Sequence, residues 1–357
     1  MHPARSNRGR LVFYAITIAA IIIVFLKFSE LRYIGDLFRK SNWHYLGIVL
    51  VVEFFSYLAQ ALNFQAVLKI KQHHVGVWEL FPISYVVQFI SQAIPTGGLS
   101  GQVFFIYYLR RYGITFAEGF GRAILEVASL YTAYALYFIT AAILLVRADA
   151  FQNEPRLVVF IYAVVIFFGI CSFVIFLSQK RKRDSRIHWL FDRAARYVKK
   201  SSLMQMPGLR AINDHSDHLA MIKDQFNATL GWEHFKKNIR LFALASFWQV
   251  VHLMTHVVTL FVISHALGTP IAFWICFIAF TFSKFISMIS IVPGAPGVFE
   301  GVMTLVLLAF GVDAHIALAA TILTRAFTFW LPMPIGWILY HRYMRQFEKM
   351  NDNLVVS

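Results

Sequence analysis

The stretch Val292-Pro-Gly-Ala-Pro-Gly-Val-Phe-Glu-Gly301 decides the fold. It sets Pro293, Gly294, Pro296 and Gly297 within five residues. No helix runs through them, because proline lacks the N–H and glycine is too flexible. Yet 286–292 before it and 302–310 after it are as apolar as lipid. Broken backbone at membrane depth survives only where protein or a water-filled cavity surrounds it. Glu300 and Arg325 share this apolar context, where each charge costs about 2.5–3.5 kcal/mol on insertion scales. A break and two charges there mark a site.

The pattern occurs twice. Pro95-Thr-Gly-Gly-Leu-Ser-Gly-Gln102 carries Gly97 and Gly98 after its proline, and Gln102 stands seven residues after Pro95 as Glu300 stands seven after Pro293. Gly113 and Gly311 each follow their proline by eighteen residues, and an ionised residue comes next, Glu126 at 31 and Arg325 at 32. Matched offsets of this kind mark an internal repeat. Paired interrupted segments are the sequence pointer to a transporter's binding site.

Working outward, the 357 residues are 59% hydrophobic, against about 45–50% for soluble domains, and the mean hydropathy is +0.62. This is the composition of an all-α polytopic membrane protein. The first apolar run, 11–28, is long enough to span and no small-residue cleavage site follows it, so it is expected to be a span rather than a removable leader. Cys171 and Cys276 lie inside apolar runs, which implies neither a disulfide framework nor a metal cluster. A net charge of +15 would suggest nucleic acid in a soluble chain; here the basic residues collect in loops and point to the cytoplasmic leaflet.

Six full spans are expected at 11–28, 44–67, 120–146, 157–177, 241–266 and 315–340, with two broken elements between them at 78–112 and 271–311. After each break the limb is short: 99–109 and 298–310 reach only about 17–20 Å as helix, and a hydrocarbon core needs about 30 Å. Both therefore read as re-entrant hairpins, although 271–292 is long enough to span. The first repeat covers 44–146 and the second 241–340. With cytoplasmic termini, the inside segments 1–10, 68–77, 110–119, 178–240 and 341–357 hold 24 of the 33 Lys and Arg. That asymmetry orients the chain and inverts the second repeat relative to the first. The segment 178–240 opens with Lys180-Arg-Lys-Arg183, and Trp189, Leu190, Arg193 and Arg196 read as an amphipathic helix on anionic headgroups.

Several residues are candidates for chemistry. Arg325 suits a phosphate or carboxylate, which its planar fork binds bidentately; the alternative is an ion pair with Glu300 or Glu126. Lys284 is a second cation, unless it snorkels to an interface. Arg122 and Glu126 stand one turn apart, so an i,i+4 pair is expected between them. Glu53, Gln60 and Asn63 form a polar stripe of the kind that joins helices. Gln249, His252 and His256 recur on one face; the histidines have the spacing of a zinc pair, but no third ligand is placed and hydrogen-bonded packing is the expectation. Neither a catalytic motif nor a phosphate-cradling loop is visible, so no cofactor and no metal is expected.

At these residues the chain resembles the membrane region of lysylphosphatidylglycerol synthases, a flippase-like family. The shared pattern is Pro293, Pro296, Gly297, Val298, Glu300, Gly311, the alanines of 317–320, Arg325, Phe329-Trp330 and Pro332 to Gly336. The first-repeat counterpart from Pro95 to Glu126 fits, except that Gly101-Gln102 stands where the family often has Gly-Glu. The resemblance implies movement of a lipid or lipid-linked headgroup between leaflets of the inner, cytoplasmic membrane, without the soluble aminoacyl-transferase domain and without enzyme activity. From the charges in the apolar segments, the expected substrate contacts are Arg325, Lys284, Glu300, Glu126, Arg122 and Gln102, with anionic membrane lipids as the expected partners. Homo-oligomers stay open. Two alternatives remain: a non-catalytic membrane partner of a lipid-modifying enzyme, and an ion-coupled carrier of a small anionic substrate.

Overall fold

The computed structural model describes residues 42–70, 74–93, 99–147, 238–289 and 294–355. The expected spans 11–28 and 157–177, nearly all of 178–240, and Pro95, Gly97, Gly98 and Pro293 lie outside them. The described residues are all-helical: α1 Trp43–Lys69, α2 Val77–Ala93, α3 Leu99–Leu109, α4 Phe116–Arg147, α5 Ile239–Ala266, α6 Phe273–Ile289, α7 Val298–Ala309, α8 Ala314–Arg325 and α9 Pro332–Val355. Four stretches are long and apolar enough to cross a membrane, namely Trp43–Lys69, Glu118–Leu145, Ile239–Ala266 and Ala314–Gln346.

The starts of these helices follow from local chemistry. Asn42 Oδ1 accepts from His44 N, and Asp313 Oδ1 accepts from His315 N, each satisfying one of the orphan donors of a first turn. Thr115 and Glu118 make a reciprocal capping box at the head of α4. Gly113 at φ 71° and Gly311 at φ 80° end the limbs α3 and α7 in the left-handed conformation that favours glycine. The two glycines at matched offsets therefore do the same work.

α1 and α5 form the central pair and run antiparallel, as shown by contacts that pair early residues of one with late residues of the other: Asn42 N with Ala266 O, Ser56 with His252, Asn63 with Ala245. α2 folds back on α3, and α6 on α7. The ends of the two halves cross over: α4 packs on α5 and α6, and α9 packs on α2. One apolar core joins α4–α8 through residues such as Phe138, Leu260, Phe277 and Met303; another joins α1–α3 to α9 through Phe64, Leu80, Phe105 and Tyr340. Large apolar side chains such as Phe55, Leu136, Phe247 and Trp337 face outward, as a lipid-facing surface requires.

Of the limb expected to be long enough to span, 271–292, Phe273–Ile289 is helical, beginning just beyond Pro270, and 290–292 lie outside the described residues. The helix that holds the last expected span runs on beyond residue 340 to Val355, and 341–355 contains neither glycine nor proline. Within it, Ala326–Trp330 forms a π turn in which Leu331 N bonds back five residues to Ala326 O at 2.8 Å. Pro332 and Pro334 supply no N–H to Thr328 and Trp330, so the ordinary ladder is interrupted just after Arg325.

Candidate functional site

The second break is held shut from inside. Gly294, Ala295 and Gly297 all take positive φ, at 65°, 47° and 82°, and this winds the chain tightly into the head of α7. Glu300, in the first turn of α7, uses both carboxylate oxygens: Oε2 accepts from Gly297 N at 2.7 Å and Oε1 from Arg325 Nε at 2.7 Å. Arg325 Nη2 donates to Gly294 O at 2.6 Å. The guanidinium carbon lies 4.6 Å from the Phe299 ring centroid and 4.1 Å from that of Phe329, at distances where cation–π attraction acts. Phe329 also packs where a Cβ on Gly294 would sit only 2.5 Å from its ring. The break, the ion pair and two aromatic faces thus make one closed unit around a buried arginine.

The first repeat builds the matching contact with different groups. Gln102 Nε2 donates to Glu126 Oε2 at 2.6 Å. Glu126 Oε1 accepts from Gln60 Nε2 at 3.1 Å and Gln249 Nε2 at 3.0 Å. One buried carboxylate on α4 therefore joins α1, α3 and α5 through three amides. Gly101 lets α3 approach α2 here: a Cβ would meet Ser91 Oγ at 2.1 Å and the Val87 carbonyl oxygen at 2.4 Å.

The expected pair of Arg122 with Glu126 does not form. Glu126's acceptors are taken by the amides, and Glu118, one turn before Arg122, is engaged in capping α4. Arg122 is 1% exposed, and its Nε, Nη1 and Nη2 are all buried without a hydrogen bond to a described residue. Lys284 is half-buried on α6, with no ion pair to a described residue; Arg325 and His252 lie within its electrostatic reach.

The polar stripe of α1 does join helices. Glu53 Oε1 accepts from Thr259 Oγ1 at 2.9 Å, Gln60 reaches Glu126, and Asn63 Nδ2 donates to Ser129 Oγ and Ala245 O. His252 Nδ1 is 3.0 Å from Ser56 Oγ, and its ring meets His256 edge-on at 5.0 Å. Among the described residues no group of three or more potential metal ligands is gathered.

Against known proteins, the family model for the lysylphosphatidylglycerol synthase transmembrane region matches residues 12–336. The chain belongs to that family. Among its relatives are UPF0104 membrane proteins of Methanothermobacter thermautotrophicus. One match is 22% identical over 304 residues, covering 85% of this chain and 86% of the relative. Another is 23% identical over 346 residues, covering 96% and 95%. A UPF0104 membrane protein of Pyrococcus horikoshii is 41% identical over 54 residues, 15% of this chain and 16% of that protein. No solved structure matches. This family member is thus a multi-pass helical membrane protein related to a lipid-synthase membrane region.

The structure brings Glu300, Arg325, Gly294 and Gly297 together, and separately Gln102 and Glu126; it keeps Arg122 off the Glu126 carboxylate, and it leaves Pro296 exposed at the turn. Sequence reasoning missed that Gln60 and Gln249 complete the Glu126 cage, although both sit on polar faces of apolar helices. It also missed the sandwich of Arg325 between Phe299 and Phe329 and the π turn beside it. Pro332 and Pro334 were the available signal for the turn.

Proposed function

We propose that this protein carries an anionic lipid, or a lipid-linked anionic headgroup, between the leaflets of the cytoplasmic membrane, and that it is a carrier rather than a catalyst. One observation carries the reading: two broken hairpins, each tied by the residue seven after its proline to the ionised residue of the next helix, inside an apolar bundle. Broken helices and intramembrane ionisable groups are the means by which transporters build a midplane site. The antiparallel α1–α5 pair, one helix from each half, supports an inverted repeat. Lys and Arg concentrated in alternate loops support cytoplasmic termini.

The charge of the cargo follows from the cations. Arg122 keeps five N–H donors in low-dielectric surroundings with no acceptor. A buried charge left so costs several kcal/mol unless a ligand pairs with it. A phosphate or carboxylate headgroup supplies that partner, and half-buried Lys284 adds a second positive charge. Rocking of the α2–α3 and α6–α7 hairpins against the α1–α5 pair would alternate access.

The test is leaflet exchange in vesicles containing the purified protein. Exchange of phosphatidylglycerol should exceed that in protein-free vesicles at least tenfold, and Arg122→Gln should abolish the excess while the protein folds as well or better. Exchange no faster than in empty vesicles would overturn the proposal. Single cysteines at Asn153 and Ser201 test the topology: reagents confined to the outside should label the first and not the second.

A further inference from the structure

The described interior holds a second buried acid–base pair that the lipid reading does not use. Glu53 on α1 is 5% exposed and His256 on α5 is 6% exposed. Glu53 Oε1 takes the Thr259 hydroxyl, whereas Oε2 is buried with no hydrogen bond. His256 Nδ1, 3.7 Å from Glu53 Oε1, is likewise buried with no hydrogen bond. An orphaned polar atom on each of two facing ionisable groups is a costly arrangement in an apolar bundle. A shared proton gives His256 Nδ1 a partner in the Glu53 carboxylate. On His256 Nδ1 it would make a charge-assisted bond to the carboxylate, which closes to about 2.7–2.9 Å.

We propose that Glu53 and His256 hold one exchangeable proton between α1 and α5, and that this proton couples to the carrier. Coupling rests on the carrier reading; proton binding does not. The proton comes from water and adds to the Nδ1 lone pair or to the carboxylate, and no other bond changes. Protonation raises the charge of the pair by one unit.

The surroundings connect this site to the second hairpin. His256 stacks on Phe280 of α6 at 5.7 Å, Phe280 meets Phe299 of α7 edge-on at 6.3 Å, and Phe299 carries the Arg325 guanidinium. The other ionisable groups near the pair are Tyr57 on α1 and Tyr85 on α2, which stack on each other near Glu53, and His252 on α5, which feels Lys284 on α6. Lys284 in turn feels Arg325. A proton gained by the pair changes the charge beside Phe280, and the chain of ring contacts carries that change to the hairpin that Arg325 holds. Intramembrane carboxylate–histidine pairs are recurrent proton relays for this reason.

Infrared difference spectra of the full-length protein in lipid nanodiscs, stepped from about pH 8 to about pH 4, read the proton directly. The wild-type difference spectrum should contain a component, a carboxyl band of Glu53 or an imidazolium band of His256, that Glu53→Gln and His256→Asn each remove or shift and that Glu126→Gln leaves in place. A spectrum with no component that both Glu53→Gln and His256→Asn alter overturns the proton site. In vesicles, an imposed pH gradient should change wild-type lipid exchange about tenfold between its two directions and leave Glu53→Gln without that response. Wild-type exchange indifferent to the gradient overturns the coupling alone. Absence of any exchange overturns the carrier reading instead, and the spectra still decide the proton site.

Discussion

In the first hairpin the residue seven after the proline is Gln102, which donates to Glu126 at 2.6 Å; in the second it is Glu300, which accepts from Arg325 at 2.7 Å. The positions correspond and the chemistry is reversed. Around Glu126 a carboxylate is held by three neutral amides from three other helices, with no ion pair to a described residue. Around Arg325 the charges cancel, and the same carboxylate also caps α7. Matched positions in the sequence thus serve two ends. The second hairpin uses its charges to fix its own break, and the first uses its charge to tie helices together.

The largest test breaks the clamp. Arg325→Met or Glu300→Gln alone removes one partner of a buried pair, and either should lower stability by about 3–5 kcal/mol, read as thermal unfolding in detergent. The double variant removes both charges and should recover most of that loss. If the double variant unfolds as early as the singles, the pair is not what holds the break.

Glycine substitutions sharpen the contrast at intermediate size. Gly101→Ala drives a Cβ into the Val87 carbonyl and should cost about 1–3 kcal/mol by overpacking. Gly301→Ala in α7 meets nothing within 4 Å and should gain about 0.5–1 kcal/mol as a helix residue. Equal effects at the two positions would show that the hairpins pack alike.

The smallest effect is expected at the amide cage. Glu126→Gln keeps the shape and the acceptor oxygen while removing a charge that has no counter-ion, so stability should change by about 1 kcal/mol or less. That is well below Glu300→Gln in the same assay. A loss as large as at Glu300 would mean that the carboxylate's charge, not its hydrogen bonds, organises the first repeat.

How much of this was legible in the sequence can be judged residue by residue. The two breaks, their short second limbs and the shared offsets of Gln102 with Glu300 and Gly113 with Gly311 are properties of spacing. They survive into the structure as paired contacts and paired left-handed glycines. Pairing across space was less legible. The i,i+4 rule puts Glu126 beside Arg122, worth a few tenths of a kcal/mol; three amides from residues 60, 102 and 249 offer more and take the carboxylate instead.

By itself, then, the sequence determined the membrane class, the helical broken-hairpin plan and the residues that carry charge in the apolar bundle, because hydropathy, proline and glycine act locally. Only the tertiary structure decided which charges meet. Arg325 closes on Glu300, Arg122 is left with its donors unused, and Glu53 faces His256, because those outcomes depend on which helices pack side by side. A side chain's partner in an apolar interior is chosen by competition among every donor and acceptor within reach, and reach is set by packing, not by position in the chain.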